Sequence, residues 1–496
     1  MNRSDGGGTG IGGGAVRGAA GGANLLALRS HNTALVLDLL RTAGAEGISR
    51  LELAERTGLT PQAVSKITAR LRGEGLATEA GRRASTGGKP RTVLRLVPGA
   101  GHALGVHLDR DELRAVLVDL DGTVVTERRA PLDLGAGAET VLAGVARAAE
   151  ELVTEAALRS PGAEGLLPPG ADGLRAAAAD ELGAAAADGP GSPTEDALRT
   201  SLEEGPGASA SKEQARGAQV SGERVPEERV PGERVLEERA SGGQALAEGR
   251  EPPVAEGARS AGGVLAAVPT LLGLGVALPG PLDHGRGVLH RVTGFPEWDG
   301  YPLRDALERR LGVPVVVDKD TNAAALGLAI RDGGGGGGAG GSFAYLHLGT
   351  GLGAGLVFGG GVHRGARTGA GEFGHQVLQL DGPPCTCGAR GCVEALCLAA
   401  VARGDLAEAA RVLGTGAANL AGLLDIDQVL LGGRTVAAAP GAFVHGVAAV
   451  LDARARREGG HDGAVPVRLA PGGTRAVAEG AAQLLLAPLF GRGDGG

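Results

Sequence analysis

Between roughly residues 155 and 262 the chain has no means of building a core, and that limits what the rest can be. The stretch is low in complexity and rich in Ala, Gly, Glu, Pro and Arg. It contains SGERVPEERVPGERVLEERASGG, a degenerate repeat on a Glu-Arg-Val step. A repeat this polar and this often interrupted by Pro has no face to bury, so disorder is expected. A charged helical spacer is the alternative for parts of it. Any folded body must come from the two flanks.

The flanks read as one α/β domain cut in two. Upstream, HALGVHLDRDELRAVLVDLDGTVV is expected to form two strands around a turn. Downstream follow VLGLGVALPGPLD, VPVVVDKDTNAAALGLAI and SFAYLHLGTGLGAGLVFGGGV, then a strand at QVLLGG and a closing helix near TRAVAEGAAQLLL. Short apolar, β-branched runs alternating with helical segments indicate an α/β architecture. With only 2% aromatic residues, its core must be made mainly of Ala, Val and Leu. A chain of 496 residues has room for two or three domains.

The chain carries a formal charge of −8, which gives no global reason to expect nucleic acid. The N-terminal region differs. Residues 1–24 read as a Gly-rich disordered tail, but from Leu25 to Val97 twelve Arg and Lys stand against six Asp and Glu. Within it, Ser49 and Glu52 make a capping box, Gly58 ends that helix, and Thr60 caps a second helix with Pro61 at its first position. Val64, Ile67 and Leu71 share one face of this second helix, leaving Gln62, Ser65, Lys66 and Ala69 on the other. Two short helices around a Gly turn predict a helix-turn-helix, with Gln62, Ser65, Lys66, Ala69 and Arg70 offered to a major groove. GRRASTGGKPRTVLRL then reads as a wing whose Arg82, Arg83, Lys89 and Arg91 would follow phosphate or a minor groove. A helical docking domain with a solvated charged face is the alternative.

All four cysteines lie in GEFGHQVLQLDGPPCTCGARGCVEALC, residues 371–397. No apolar run of the signal-peptide kind opens the chain and no stretch is long enough to span a bilayer, so a cytoplasmic, reducing location is expected. That weakens a disulfide and favours a metal or a catalytic thiol. His375, Cys385, Cys387 and Cys392 give H-x9-C-x-C-x4-C, a set that can close a tetrahedral structural Zn2+ site. Cys397, on what reads as the following helix, is expected to be a small buried residue.

The motif AGEFGHQVLQLDG followed by CTCGARGCVEA resembles the signature of the ROK family (repressors, open reading frames and sugar kinases). VALPGPLD, KDTNAAALG, LGTGLGAGLVFGGGVHRGA and NLAGLLDIDQVLLGG resemble that family's successive motifs. The resemblance, with the winged helix-turn-helix, covers nearly everything but the tail and the insert. It implies an actin-like, two-lobed sugar-kinase fold with a structural zinc, forming a homodimer or homotetramer. The expected division is a tail at 1–24, a winged helix-turn-helix at 25–98, a first lobe at 99–154 and 263–345, the insert at 155–262, and a second lobe at 346–490 carrying the zinc motif and the closing helix. In the family's kinases an Asp acts as base on the sugar hydroxyl, a position that falls on Asp320. The sugar-holding residues fall on Glu372, His375 and Glu394, which makes them effector-binding expectations.

The nucleotide side departs from the kinases. Where they carry an Asp-x-Gly-Gly-Thr loop, this chain reads His107-Leu108-Asp109-Arg110-Asp111-Glu112. Both glycines are lost and carboxylates stand where phosphate oxygens would lie, so no useful ATP binding and no enzymatic activity are expected. Lys319 replaces an Asn common in sugar-binding members, and the segment from Glu394 to Asn419 is shorter than the family's. The expectation is therefore a cytoplasmic DNA-binding regulator of carbohydrate metabolism, a repressor, sensing a sugar or sugar phosphate. An active ATP-dependent sugar kinase with an attached DNA-binding domain is the alternative.

Overall fold

The computed structural model describes residues 31–83, 91–159, 265–290, 292, 295–332, 341–459 and 464–492. The tail at 1–24, Lys89, the Arg83 side chain and residues 160–262 of the insert lie outside the described residues.

The N-terminal unit begins with α1 (His31–Thr42), a short strand β1 (Ile48–Ser49), α2 (Arg50–Thr57) and α3 (Pro61–Gly73). The capping box is formed: Ser49 Oγ accepts from the Glu52 amide and Glu52 from the Ser49 amide. Gly58 closes α2 in the left-handed region, at φ 69°. Strands β2 (Ala77–Arg83) and β3 (Arg91–Leu96) pair antiparallel, and β1 adds to β3, completing a three-stranded sheet in the order β1-β3-β2. Val64 and Leu71 are fully buried while Gln62, Ser65, Lys66 and Ala69 are exposed, as the helical period requires.

The body holds two five-stranded sheets of one topology. In the first, β4 (His102–Leu108), β5 (Glu112–Asp119) and β6 (Val124–Pro131) run antiparallel. Helix α4 (Ala138–Arg159) follows. Past the insert, β7 (Leu271–Leu278) lies parallel to β4. A small hairpin of β8 (Leu282–Asp283) and β9 (Val288–Leu289) and α5 (Leu303–Leu311) then lead to β10 (Val315–Lys319), parallel to β7. The order is β10-β7-β4-β5-β6.

Helix α6 (Asp320–Asp332) leads to the second sheet. There β11 (Phe343–Leu348), β12 (Leu352–Phe358) and β13 (Gly361–Val362) are antiparallel. After α7 (Val393–Ala402) and α8 (Leu406–Leu424) come β14 (Gln428–Gly432), α9 (Arg434–Ala438), α10 (Pro440–Glu458) and β15 (Val467–Leu469). Its order, β13-β12-β11-β14-β15, repeats the first sheet's arrangement of three antiparallel strands followed by two parallel ones.

Each sheet buries both faces. Leu104, Val106 and Leu108 of β4 pack with Val141, Val145 and Leu152 of α4. The alternate residues, Ala103, Gly105 and His107, lie on the opposite face. There the final helix, α11 (Ala476–Leu486), approaches so closely that a Cβ on Gly105 or Gly275 would collide with the Ala478 or Ala481 carbonyl. This glycine pair is what lets a helix lie directly on the strands.

The closing helix lies on the first sheet over that glycine pair, and its Val477, Ala481 and Leu484 also share a cluster with Phe343, Tyr345 and Leu430 of the second sheet. Two expected boundaries move. The second sheet begins at Phe343, ahead of the boundary at 346, since Phe343 already pairs with Val357 and Gln428. Helix α4 runs on to Arg159, past residue 154, with Ala156 and Ala157 still buried against the core.

The N-terminal unit is not a separate bead. Val36, Leu37 and Leu40 of α1 share one cluster with Leu485 and Leu486 of α11 and with Leu489 and Phe490 of the turn beyond it. Arg41 places its guanidinium 4.7 Å from the Phe490 ring centroid and donates to the Asp121 carbonyl at 2.9 Å. Arg492 pairs with Asp38 at 2.8 Å. Among the described residues no helix is long and apolar enough to cross a membrane.

Candidate functional site: an acidic cleft beside a Cys3His cluster

The ligating atoms of His375, Cys385, Cys387 and Cys392 all lie within 4.8 Å of one another. His375 Nδ1 is 3.7 Å from Cys385 Sγ, and Cys387 Sγ is 3.7 Å from Cys392 Sγ. A tetrahedron with zinc–sulfur bonds of ~2.3 Å has edges of about that length, so the donor set fits the ion. The loop closes through Cys385 and Ala389 (Cys385 N–H to Ala389 O, 2.8 Å) and two isolated bridges, Val377 with Cys392 and Pro384 with Arg390. Gly391, at φ 65°, sits where a Cβ would strike the Gln379 carbonyl. Cys397 is buried in α7 and donates to the Ala409 carbonyl, apart from the cluster.

His375 also lines a cleft of about 90 Å³, together with Asp320, Glu372 and Glu394. The four expected effector residues therefore meet in one place. Wider hollows of about 770 Å³ along β6 and about 730 Å³ between α8 and α10 collect none of them. Asp320 opens α6 directly after β10, so a strand end delivers it to the cleft. Glu394, in the first turn of α7, accepts from the Leu352 amide at 2.8 Å. Glu372 is engaged by Lys319, whose Nζ donates to Glu372 Oε1 at 2.7 Å and to the Ala370 carbonyl at 2.8 Å. Behind Lys319, buried Asp318 takes Arg364 Nε at 2.8 Å and Asn322 Nδ2 at 3.0 Å.

The loop at 107–112 closes on the second lobe. Asp109 Oδ1 accepts from the Thr350 hydroxyl at 2.6 Å and from the Arg110 amide at 2.8 Å. Burial pushes the Asp109 carboxyl up, but the Thr350 hydroxyl, His107, the Arg110 amide and Arg434 together hold it below the usual range. Asp111 takes Arg434 Nη1 at 2.9 and 3.0 Å, and Glu112 pairs with Arg114 and Arg129. Thr350 belongs to Gly349-Thr350-Gly351, the other glycine-bearing turn, so two loops that could have flanked a phosphate are bonded to each other. Beneath them His107 is buried with Nε2 unpartnered, 6.0 Å edge-on from the His347 ring, and burial draws it down to about 4.

In the N-terminal unit Arg82 and Arg91 are exposed. Arg70 is exposed as well, and its Nη2 donates to Thr33 Oγ1 at 2.8 Å, tying α3 to α1. The sequence reading missed Arg434, His347 and Arg364. Arg434 carries a usable signal, since it follows the Gly432-Gly433 pair that ends β14.

Residues 264–403 match the family model described as ROK family. The chain is 32% identical over 134 residues to a putative xylose repressor of Caldicellulosiruptor sp., a match covering 26% of this chain and 33% of the relative. It is 39% identical over 141 residues to a glucokinase of Thermotoga maritima, covering 27% of this chain and 42% of the relative. The chain thus spans less than half the length of these curated relatives. In fold it resembles the crystal structure of a ROK family transcriptional regulator, a homologue of the E. coli MLC protein, with a TM-score of 0.55 at 17% identity over 93% of this chain and 98% of that one. From just past the insert to just beyond α7, residues 264–403 of this chain therefore carry a ROK family domain.

Proposed function

We propose that the chain is a DNA-binding transcriptional regulator, a repressor of carbohydrate-metabolism genes, whose ROK domain senses a sugar or sugar phosphate and has no kinase activity. The observation that supports this reading is the Asp109–Thr350 bond together with the Asp111–Arg434 pair, in the loop where a kinase of this family would be expected to carry its phosphate-binding glycines. A cradle needs free backbone N–H groups and small residues, and a carboxylate there repels the ligand.

Asp320, Glu372 and Glu394 would accept hydrogen bonds from sugar hydroxyls, and His375 would donate with its second ring nitrogen. Zinc held by His375, Cys385, Cys387 and Cys392 would act as a structural cross-link that fixes the His375 ring. Gln62, Ser65, Lys66 and Ala69 would face base edges, with Arg82, Arg83, Lys89 and Arg91 on the phosphates. A homodimer or homotetramer would present two such helices to the half-sites of an inverted repeat. Effector binding changes DNA affinity only through different effector affinities in the two lobe arrangements.

The test is operator affinity with and without sugar, on sites found by genome-wide DNA-binding mapping in the host. Equal affinity across a broad sugar panel refutes sensing. The kinase reading is supported by Asp320 at the cleft wall and by the 39% identity to a glucokinase over 141 residues. ADP release over common hexoses decides it: turnover establishes the kinase.

A further inference from the structure

The charged lining of the cleft is unbalanced. Four carboxylates, Asp109, Asp320, Glu372 and Glu394, face two cations, Arg110 and Lys319. Lys319 is already committed: its side chain is only 5% exposed and its ammonium holds Glu372 and the Ala370 carbonyl. Arg110 turns its guanidinium toward the Phe295 ring, 5.8 Å from the centroid. Asp111, beside Asp109, occupies Arg434 with both of its oxygens. Asp109 makes its hydrogen bonds through Oδ1 alone, so Oδ2 keeps its lone pairs and its share of the charge.

A neutral sugar meets such a lining as a set of hydrogen-bond acceptors. A phosphate dianion meets it as like charge at short range, in a partly enclosed space where salt screens little. We propose that this cleft takes its sugar unphosphorylated and rejects the phosphorylated form of the same sugar, with Asp109 and Asp111 setting the choice. Asp109 repels the phosphate directly. Asp111 withholds Arg434, the guanidinium that would otherwise receive it. This narrows the effector reading above and rests on it.

The experiment titrates matched pairs calorimetrically into the full chain: glucose and glucose 6-phosphate, mannose and mannose 6-phosphate, N-acetylglucosamine and its 6-phosphate. The same pairs are titrated into the doubly substituted protein D109N/D111N, which keeps side-chain shape, removes both charges and frees Arg434. In the wild type the free sugar of any pair that binds should be at least about tenfold tighter than its phosphate, ~1.4 kcal/mol. The ratio should fall toward one in D109N/D111N. The single substitution Asp111→Asn, at a side chain 61% exposed, should shift the ratio in the same direction and serves if the double variant folds poorly. A phosphate that binds the wild type as tightly as its parent sugar overturns the proposal and leaves the effector reading standing. A ratio unchanged in the variants does the same. Failure of these ligands and of the broad sugar panel to bind either protein overturns the effector reading itself, and the proposal with it.

Discussion

Lowering the pH from 7 to 5 should destabilise the first sheet through a single imidazole. His107 is buried on β4 and its Nε2 has no partner. Burial, against the opposing pull of Asp320, lowers it from the ordinary 6.5 to about 4. The folded state therefore refuses a proton that the unfolded chain accepts. Stability is fully present above about 6.5 and is lost as the pH falls toward 4. Linkage over those two values makes the loss between pH 7 and 5 about 2 kcal/mol. His102, also drawn to about 4 by burial, adds a similar loss, while Asp119 and Asp121, raised by burial, act the other way. The informative quantity is thus the difference between two proteins. His107→Leu has a comparable volume and breaks no hydrogen bond, so its loss between pH 7 and 5 should be smaller by about 2 kcal/mol. Urea unfolding at the two pH values can be followed by fluorescence of Trp298, the one tryptophan, buried in the core of that lobe. Identical pH dependence in wild type and variant would refute a neutral, buried His107.

Three further outcomes are expected. Phe490→Ala should cost ~3–5 kcal/mol and weaken operator binding as well, since Phe490 lies in the core shared with α1; calorimetry and gel shift read the two effects. Cys392→Ser should abolish stoichiometric zinc in atomic absorption and lower the melting temperature, and a chelator should do the same to the wild type. Arg82→Ala and Arg91→Ala should each flatten the log–log salt dependence of DNA binding by about 0.9 without changing sequence preference, whereas Lys66→Ala should change preference.

The sequence was most legible where a few neighbouring residues decide the geometry. Ser49-x-x-Glu52, Gly58 and Thr60-Pro61 fixed the ends of two helices, and H-x9-C-x-C-x4-C placed four ligands within one sphere. The cleft residues Asp320, Glu372, His375 and Glu394 were named as a set only through the resemblance to the family's motifs, and all four line one cleft. What the sequence hid depends on contacts between distant segments. Nothing near residue 109 announces Thr350, and nothing near 111 announces Arg434. The docking of α11 was half-written, since the mid-strand glycines of HALGVHL and LLGLGVAL mark a close approach without naming what approaches. The Arg70 bond to Thr33 was hidden in the same way, because a position on a helix face does not reveal a partner on another helix.

The core shared by α1 and the turn at Leu489–Phe490 also bears on the order of synthesis. The ribosome makes the N-terminal unit first, yet Leu485, Leu486, Leu489 and Phe490, which cover α1, emerge only after both sheets of the body. Until then Leu37 and Leu40 lack part of their cover, and the nascent unit carries exposed apolar surface. A chain cut short before Phe490 would leave the N-terminal unit in that incomplete state, so full support of α1 comes only once α11 and the turn beyond it have been made.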